Sequence, residues 1–329
     1  MEYTTFGGAA GPRVSTLALG AMMMGTTIDE PTSFAILDRF REAGGTFLDT
    51  ADCYAFWVDG ATGHESEDLL GRWLAARGCR AEMVIATKVG AQPDPAYSAP
   101  WPRDAEGLSA PAIRAAARGS LARLGTDHVE VLFAHIEDKS VTFAETAGAF
   151  GELIAAGEAA VAGVSNHPTP HVKRARAAAE AQGVPGYTAV QQRHAYLRAV
   201  PGASFTSPQE PADDELLAMV RGGELSMMAY ATLLEGSLVR ADRPLSREYQ
   251  SPENQRRLEI MWRIADEAGV TRTQLALAWL LHGDPAIVPV VGVSSVAQLD
   301  DVLGAVDVPR AVVAALAEAV AEAPAEAAV

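Results

Sequence analysis

The sequence predicts an α/β chain folded as a (β/α)8 TIM barrel, with an N-terminal hairpin and extra C-terminal helices. Three observations predict it. Short apolar runs alternate with amphipathic helical stretches along the chain, the pattern of parallel strands joined by crossover helices. Eight such runs can be counted as barrel strands, which favours a closed barrel over an open sheet. Three of the runs stop at a residue able to do chemistry: Thr46-Phe47-Leu48 at Asp49, Met83-Val84-Ile85-Ala86-Thr87 at Lys88, and Val129 to Ala134 at His135. In a parallel barrel the strand C-termini share one face, and that face carries catalysis.

The elements follow in order. Residues 1–15 are polar and glycine-rich around Gly7-Gly8 and Gly11-Pro12, which predicts a hairpin able to plug one barrel end. Thr16 to Leu19 reads as the first strand, and Pro31 to Ala43 as the first helix, with Pro31 in its first turn and Gly44-Gly45 beyond its end. The second strand ends at Asp49, and Glu65 to Ala76 forms the next helix. The third strand ends at Lys88. Pro111 to Leu124 is then helical, with Ser109 as cap and Gly125 as stop. The fourth strand ends at His135, and Thr142 to Ala155 is its helix. Ala160–Val164, Thr188–Val190 and Leu225–Ala229 read as strands five to seven, with helices over Pro170–Ala181 and Asp213–Val220. Glu253–Ala268 and Thr271–Leu281 are two helices, one of them extra to the barrel. Ile287–Val291 is the eighth strand, and Pro309–Ala321 closes the chain as an alanine-rich helix.

No composition shift divides the chain, so residues 1–329 read as a single domain. A net charge of −16, from 42 acids and 26 bases, argues against nucleic-acid and anionic-membrane partners. Two cysteines, Cys53 and Cys79, cannot build a disulfide framework, and no signal peptide or membrane-spanning stretch is evident; a cytoplasmic protein is the expectation.

The longest gaps all follow strands: Ala51–His64, Val89–Leu108, Gln192–Ala212 and Ala231–Pro252. Aromatics on the first three, Phe56 and Trp57, Tyr97 and Trp101, and Tyr196 with His194, are candidate walls of a substrate pocket; Trp57, Trp101 and His194 are the chosen candidates. Ordinary loop packing explains any one of them equally well.

Tyr54 lies five residues beyond Asp49. A lysine ammonium beside a phenol favours the phenolate, so the expected Tyr54 pKa falls toward neutrality. An aspartate paired with the lysine holds the ammonium in place, and a histidine from the next strand can bond a substrate oxygen. Such a group protonates an oxygen on which negative charge develops, which suits carbonyl reduction by a hydride donor. Each residue alone reads more readily as structure: Asp49 as a cap, Lys88 as a solvated charge, His135 and Tyr54 as packing. Their common position at strand ends is what points to a site. Ser165 and Asn166, Gln191 and Tyr230 end strands five, six and seven; amides and a hydroxyl there suit a carboxamide, and Tyr230 can stack on a flat ring. Gly292-Val293-Ser294-Ser295 opens a short helix running through Gln298 to Val302, a glycine-led N-terminus suited to phosphate. No G-x-G-x-x-G occurs, so a Rossmann domain is not indicated.

These stretches together resemble the aldo-keto reductase superfamily: Asp49-Thr50-Ala51 with Tyr54, Thr87-Lys88, Ser120-Leu121-Ala122-Arg123-Leu124-Gly125-Thr126-Asp127 running on to His135, Gly163-Val164-Ser165-Asn166, Gln191, and Gly292 to Asp301. The resemblance covers nearly the whole chain. It implies a barrel binding NADPH in extended form, with NADH possible, and a small-molecule ketone or aldehyde as substrate, such as a sugar or natural-product intermediate. It implies Tyr54 as general acid, Lys88 and Asp49 as its tuning pair, and His135 as the group orienting the carbonyl. By the same resemblance Ser165, Asn166 and Gln191 hold the carboxamide and Tyr230 stacks under the nicotinamide. The loop through Ala231, Leu233 and Gly236 borders the cofactor, Ser294, Gln298 and Asp301 contact its adenosine end, and Gly292 and Ser295 count with them among the cofactor-binding residues. Two departures stand out. Many members have serine-proline-leucine where this chain has Ala231-Thr232-Leu233, and a basic residue near Ser295 and an asparagine at Val302 are both missing. Arg240 is the remaining basic candidate for a 2′-phosphate.

Three other readings compete. A cofactor-binding regulatory subunit with little turnover is the alternative, opposed by the intact set of four. A lyase would use Lys88 as a Schiff base. A metal-dependent hydrolase lacks an H-x-H pair on the first strand, and no metal site is expected.

Overall fold

The computed structural model describes residues 1–94, 100–205 and 208–322. Tyr97 lies outside the described residues. An antiparallel hairpin, β1 (Tyr3–Thr5) and β2 (Arg13–Ser15), precedes the barrel and is paired Tyr3 to Ser15. Eight parallel strands then close on themselves: β3 (Ala18–Gly20), β4 (Phe47–Asp49), β5 (Val84–Val89), β6 (Val129–Ala134), β7 (Ala159–Ser165), β8 (Ala189–Arg193), β9 (Ser226–Tyr230) and β10 (Val288–Val291), with β10 pairing back to β3. The predicted TIM barrel is therefore the fold. Its first strand begins two residues later than expected, because Arg13–Ser15 is taken by the hairpin. Its sixth runs on through Gln191 to Arg193 rather than stopping at Val190.

Helices α1 (Glu30–Glu42), α2 (Glu65–Arg77), α3 (Ala110–Leu124), α4 (Phe143–Ala155), α5 (Thr169–Gln182), α6 (Asp214–Arg221), α7 (Pro252–Ala268), α8 (Arg272–His282), α9 (Val296–Leu303) and α10 (Arg310–Glu322) surround it. Their ends carry the residues expected. Ser109 accepts from Ala112 N–H at the start of α3, and Gly125 ends it at φ 66°, a left-handed conformation that costs glycine nothing. Thr271 and Gln274 form a reciprocal capping box on α8. Because α8 leads directly into β10, it is the barrel helix of the C-terminal pair; α7 is the extra one, packed on α8 and α10.

Strand alternation divides the core into two layers. Phe47, Ala86, Val131, Phe133, Val161, Ala189, Met228 and Val288 fill the barrel interior, closed at the N-terminal end by Phe6 of the hairpin, whose ring meets Phe47 edge-on at 5.3 Å. The alternate residues, such as Leu48, Ile85 and Leu132, pack outward under the helices. At Gly163 the interior has no room: a Cβ there would stand 2.4 Å from the Phe133 ring. The stretch Ser120–Asp127 is a structural clamp. Arg123 Nε reaches the fully buried Glu67 of α2 at 2.7 Å, and Glu67 also accepts from Thr87 Oγ1 at 2.5 Å. No helix among the described residues is long and apolar enough to cross a membrane.

Candidate active site

The same alternation that fills the barrel sets its mouth. Two residues beyond inward-facing Phe47 is Asp49; beyond Ala86 is Lys88; beyond Phe133 is His135; beyond Gly163 is Ser165; beyond Ala189 is Gln191; beyond Met228 is Tyr230. Each continues the inward face of its strand one step toward the C-terminal end, so all converge.

Lys88 is fully buried. Its Nζ donates to Asp49 Oδ1 at 2.8 Å, Asp49 Oδ2 at 2.9 Å and Thr50 O at 2.8 Å, and it lies against the Tyr54 hydroxyl in a short contact. Tyr54 Oη donates to Asp49 Oδ2 at 3.1 Å, and Gln191 Nε2 donates to Asp49 Oδ1 at 2.7 Å. An ammonium with every donor spent on protein oxygens is not poised as an imine-forming nucleophile. Burial pulls the Lys88 pKa below its ordinary value, with the Asp49 charge opposing.

The expected fall of the Tyr54 pKa is corrected by the structure. Burial pushes the phenol well above its ordinary range, and the Asp49 carboxylate adds to the push. The ammonium does not win, because both Asp49 oxygens face it and the phenolate would be desolvated. Tyr54 is thus a protonated donor across the neutral range. His135 stands edge-on to Tyr54, ring centroids 5.8 Å apart, and burial with the nearby Lys88 charge pushes it well below the usual imidazole value, so it is neutral. Cys53 Sγ lies 3.3 Å from His135 Nδ1, and burial raises the Cys53 thiol well above its ordinary value. A protonated thiol donating to Nδ1 leaves the imidazole proton on Nε2, where it can donate to a substrate oxygen.

Backbone strain marks the same rim. Ala55, Asn166, Ala231, Leu234 and Glu235 adopt left-handed φ of 65°, 57°, 55°, 48° and 56°, all on loops leaving strand C-termini. Asn166 Nδ2 donates to His135 O at 3.0 Å and Ser165 Oγ at 3.1 Å, and Asn166 Oδ1 accepts from Tyr230 Oη at 2.6 Å. Ser165, Asn166, Gln191 and Tyr230 are therefore brought together as expected. The amides of Asn166 and Gln191, however, are engaged with protein neighbours and must exchange those bonds to hold a ligand carboxamide.

The loop after β9 makes a short 3₁₀ turn at Leu234–Gly236, next to Ala231 and Leu233. Arg240 is bound to Asp242, with Nη2 to Oδ2 at 2.5 Å, and is half-exposed. Arg243, which sequence reasoning missed, donates to Glu235 O at 2.6 Å and flanks Gly236 with Arg240.

The glycine-led helix start is also corrected. Helix α9 begins at Val296 with Ser295 as its N-cap, because Ser295 accepts from Gln298 N–H and fixes the first turn; Gly292 lies three residues upstream. Ser294 N–H and Oγ both donate to Gln298 Oε1, at 2.8 and 3.0 Å, and Asp301 accepts from Thr271 Oγ1 at 2.7 Å. Gly292, Ser294 and Gln298 are exposed, so this helix start is open to an anion.

Of the substrate candidates, Trp57 is 55% exposed and Trp101 half-buried; both pack on Phe56, at 5.1 and 5.5 Å, in the loop that leads away from Tyr54. His194 is placed differently. It packs on Trp279 of α8 at 5.5 Å and lines a 580 Å³ cleft among α6, α8 and α10, outside the barrel. The β8 strand runs through Arg193 and turns outward there, which carries His194 away from the mouth.

The Asp52–Cys53–His135 group was not anticipated. Asp52 Oδ, Cys53 Sγ and a His135 ring nitrogen lie within 4.8 Å of one another. Asp52 and Cys53 are adjacent in sequence, but only the fold brings His135 to them.

The Aldo/keto reductase family model matches residues 16–321. The chain is 32% identical over 318 residues to the uncharacterized oxidoreductase YrpG of Bacillus subtilis, covering 94% of this chain and 92% of the relative. It is 31% identical over 307 residues to the norsolorinic acid reductase stcV of Emericella nidulans, covering 88% and 74% respectively. An aryl-alcohol dehydrogenase of Pestalotiopsis microspora is 26% identical over 297 residues, covering 86% and 72%.

Proposed function

The chain belongs to the aldo/keto reductase family, an oxidoreductase family, and from that premise we propose that it reduces an aryl ketone or aldehyde to the alcohol, with NADPH as hydride source and Tyr54 as proton donor. The observation that carries the reading is the buried Lys88 ammonium, bonded to both Asp49 oxygens and set against the Tyr54 hydroxyl.

The residues fit a nicotinamide dinucleotide. Ser165, Asn166 and Gln191 offer exchangeable amides and a hydroxyl at the mouth, Tyr230 offers a ring face beside them, and the start of α9 offers N–H groups to phosphate. When bound, the cofactor supplies the hydride. The protein manages the proton. Nε2–H of neutral His135 and the Tyr54 hydroxyl converge on one oxygen of the substrate and polarise its carbonyl. As charge develops on that oxygen, Tyr54 passes it the phenol proton. The phenolate left behind is neutralised by Lys88, which Asp49 and Thr50 O hold in place. An acid whose pKa is raised stays protonated until the oxyanion demands the proton. Phe56 and Trp101 pack against the same small apolar cluster as Tyr54, and Trp57 extends that aromatic surface outward from Phe56, which matches a flat aryl substrate; the aryl-alcohol dehydrogenase relative is consistent with that class.

The 2′-phosphate has few partners. Arg240, Arg243 and Arg247 are the cations of the β9 loop; Arg240 is already held by Asp242 and Arg247 by Glu248, so NADPH is preferred over NADH by a narrow margin. Titration of the purified protein with NADPH and NADH, followed by turnover on aryl and aliphatic carbonyls, tests the assignment. A chain that binds cofactor and turns over none of them is the regulatory subunit of the alternative reading.

A further inference from the structure

Behind the proposed acid–base site lies a charge problem the mechanism does not use. Asp52 is 1% exposed, and neither of its carboxylate oxygens has a hydrogen-bond partner. The neighbouring Glu106 carboxylate lies within side-chain hydrogen-bond reach and repels it as a like charge, so the acidic pair needs either a shared proton or a cation. Burying such a carboxylate without a proton or a cation is costly. Next to it stand the sulfur of Cys53, 2% exposed, and the Nδ1 of His135, already 3.3 Å from that sulfur.

We propose that Asp52, Cys53 and His135 form a binding site for a thiophilic divalent cation of the Zn²⁺ class, which occupies the imidazole on the side away from the substrate and inhibits the reductase. Sulfur, imidazole nitrogen and carboxylate are the ordinary donor set of zinc. Bond lengths of about 2.0–2.3 Å in a tetrahedral site put ligand atoms roughly 3.3–3.8 Å apart. The Cys53–His135 pair has that spacing, and all three donors lie within 4.8 Å, so side-chain rotation of about an ångström completes the set. On binding, the Cys53 thiol releases its proton to solvent and the thiolate coordinates the metal, while Asp52 supplies its carboxylate and the Cys53–His135 hydrogen bond is given up. The cation offsets the acidic pair, and three protein ligands leave a fourth position open. Inhibition follows because metal on Nδ1 moves the ring and withdraws it from its place beside Tyr54.

The binding half of the proposal is independent of the reductase reading; the inhibition half rests on it. The test begins with chelator-treated protein titrated with Co²⁺, read by the thiolate-to-cobalt charge-transfer band, in wild type, Cys53→Ser, Cys79→Ser and Asp52→Asn. The expected result is one cobalt per chain with the band present in wild type and Cys79→Ser and absent in Cys53→Ser. In Asp52→Asn, which also covers the case of a poorly folding Cys53→Ser, affinity should weaken by about tenfold or more. In turnover assays Zn²⁺ should inhibit wild type, and the half-inhibitory concentration, referred to each variant's own zinc-free rate, should rise at least about tenfold in Asp52→Asn. No band in wild type, or an equal band in Cys53→Ser, overturns the proposal and leaves Asp52 and Glu106 sharing a proton. A band lost in Cys53→Ser without zinc inhibition of wild type upholds the metal site and places the failure in the role given to His135.

Discussion

Replacing Lys88 by methionine removes an ammonium and leaves its partner behind. Asp49 loses two bonds, at 2.8 and 2.9 Å, and keeps the 2.7 Å bond from Gln191 and the 3.1 Å bond from Tyr54. Stranding one member of a buried ion pair costs about 3–5 kcal/mol; with two donors retained, the lower end, about 3 kcal/mol, is expected. A buried ammonium and a buried carboxylate each carry a desolvation cost that only the other offsets. Removing both charges is accordingly milder than removing one. Lys88→Met with Asp49→Asn should recover about 2 kcal/mol relative to the sum of the single changes. Denaturant midpoints of the four proteins, followed by circular dichroism at matched m-values, give the coupling. A single Lys88→Met cost below about 0.5 kcal/mol, or strict additivity, would refute the reasoning by showing that the pair is solvated rather than buried.

Three further outcomes follow from the same structure. His194 is pushed down to about 4 by burial and by Arg198. The unfolded chain therefore takes up a proton from about pH 6.5 downward that the folded chain refuses until about pH 4, and stability present above this window is lost as pH falls through it. Urea midpoints across those pH values should show His194→Gln with a shallower decline, by at most about 3 kcal/mol; identical slopes would place the ring in solvent. Arg240→Ala should weaken NADPH by up to about tenfold and leave NADH nearly unchanged, since the Asp242 partner and the exposed position reduce its contribution; equal weakening of both cofactors in fluorescence titrations would remove it from the 2′-phosphate. Exhaustive EDTA treatment should leave carbonyl reduction intact, because none of the proton steps uses a metal; activity lost on chelation and restored by zinc would contradict that.

The fold was legible because its signals are local. Strand and helix alternation, Ser109, Gly125 and the run of residues at strand ends are all readable without contacts. The convergence of residues at the barrel mouth was legible for the same reason: Asp49, Lys88, Ser165, Gln191 and Tyr230 each follow an inward position by two, and a period of two needs no coordinates. What failed depends on burial and on where loops turn. The Tyr54 shift reverses because desolvation and Asp49 together outweigh Lys88, and sequence gives no depth. His194 was assigned to the mouth from its position after a strand, but the strand extends to Arg193 and delivers it to the outer cleft. Glu67 with Arg123, and Asp52 with His135, are pairs distant in sequence, whose partners only the closed barrel supplies.

The central claim is that Tyr54 gives the proton. Tyr54→Phe keeps the ring beside Lys88 and removes only the hydroxyl. With NADPH and an aryl aldehyde, kcat for reduction should fall by roughly 10²–10⁴, while the NADPH dissociation constant stays within a few-fold of wild type. Wild-type turnover in Tyr54→Phe would contradict the account.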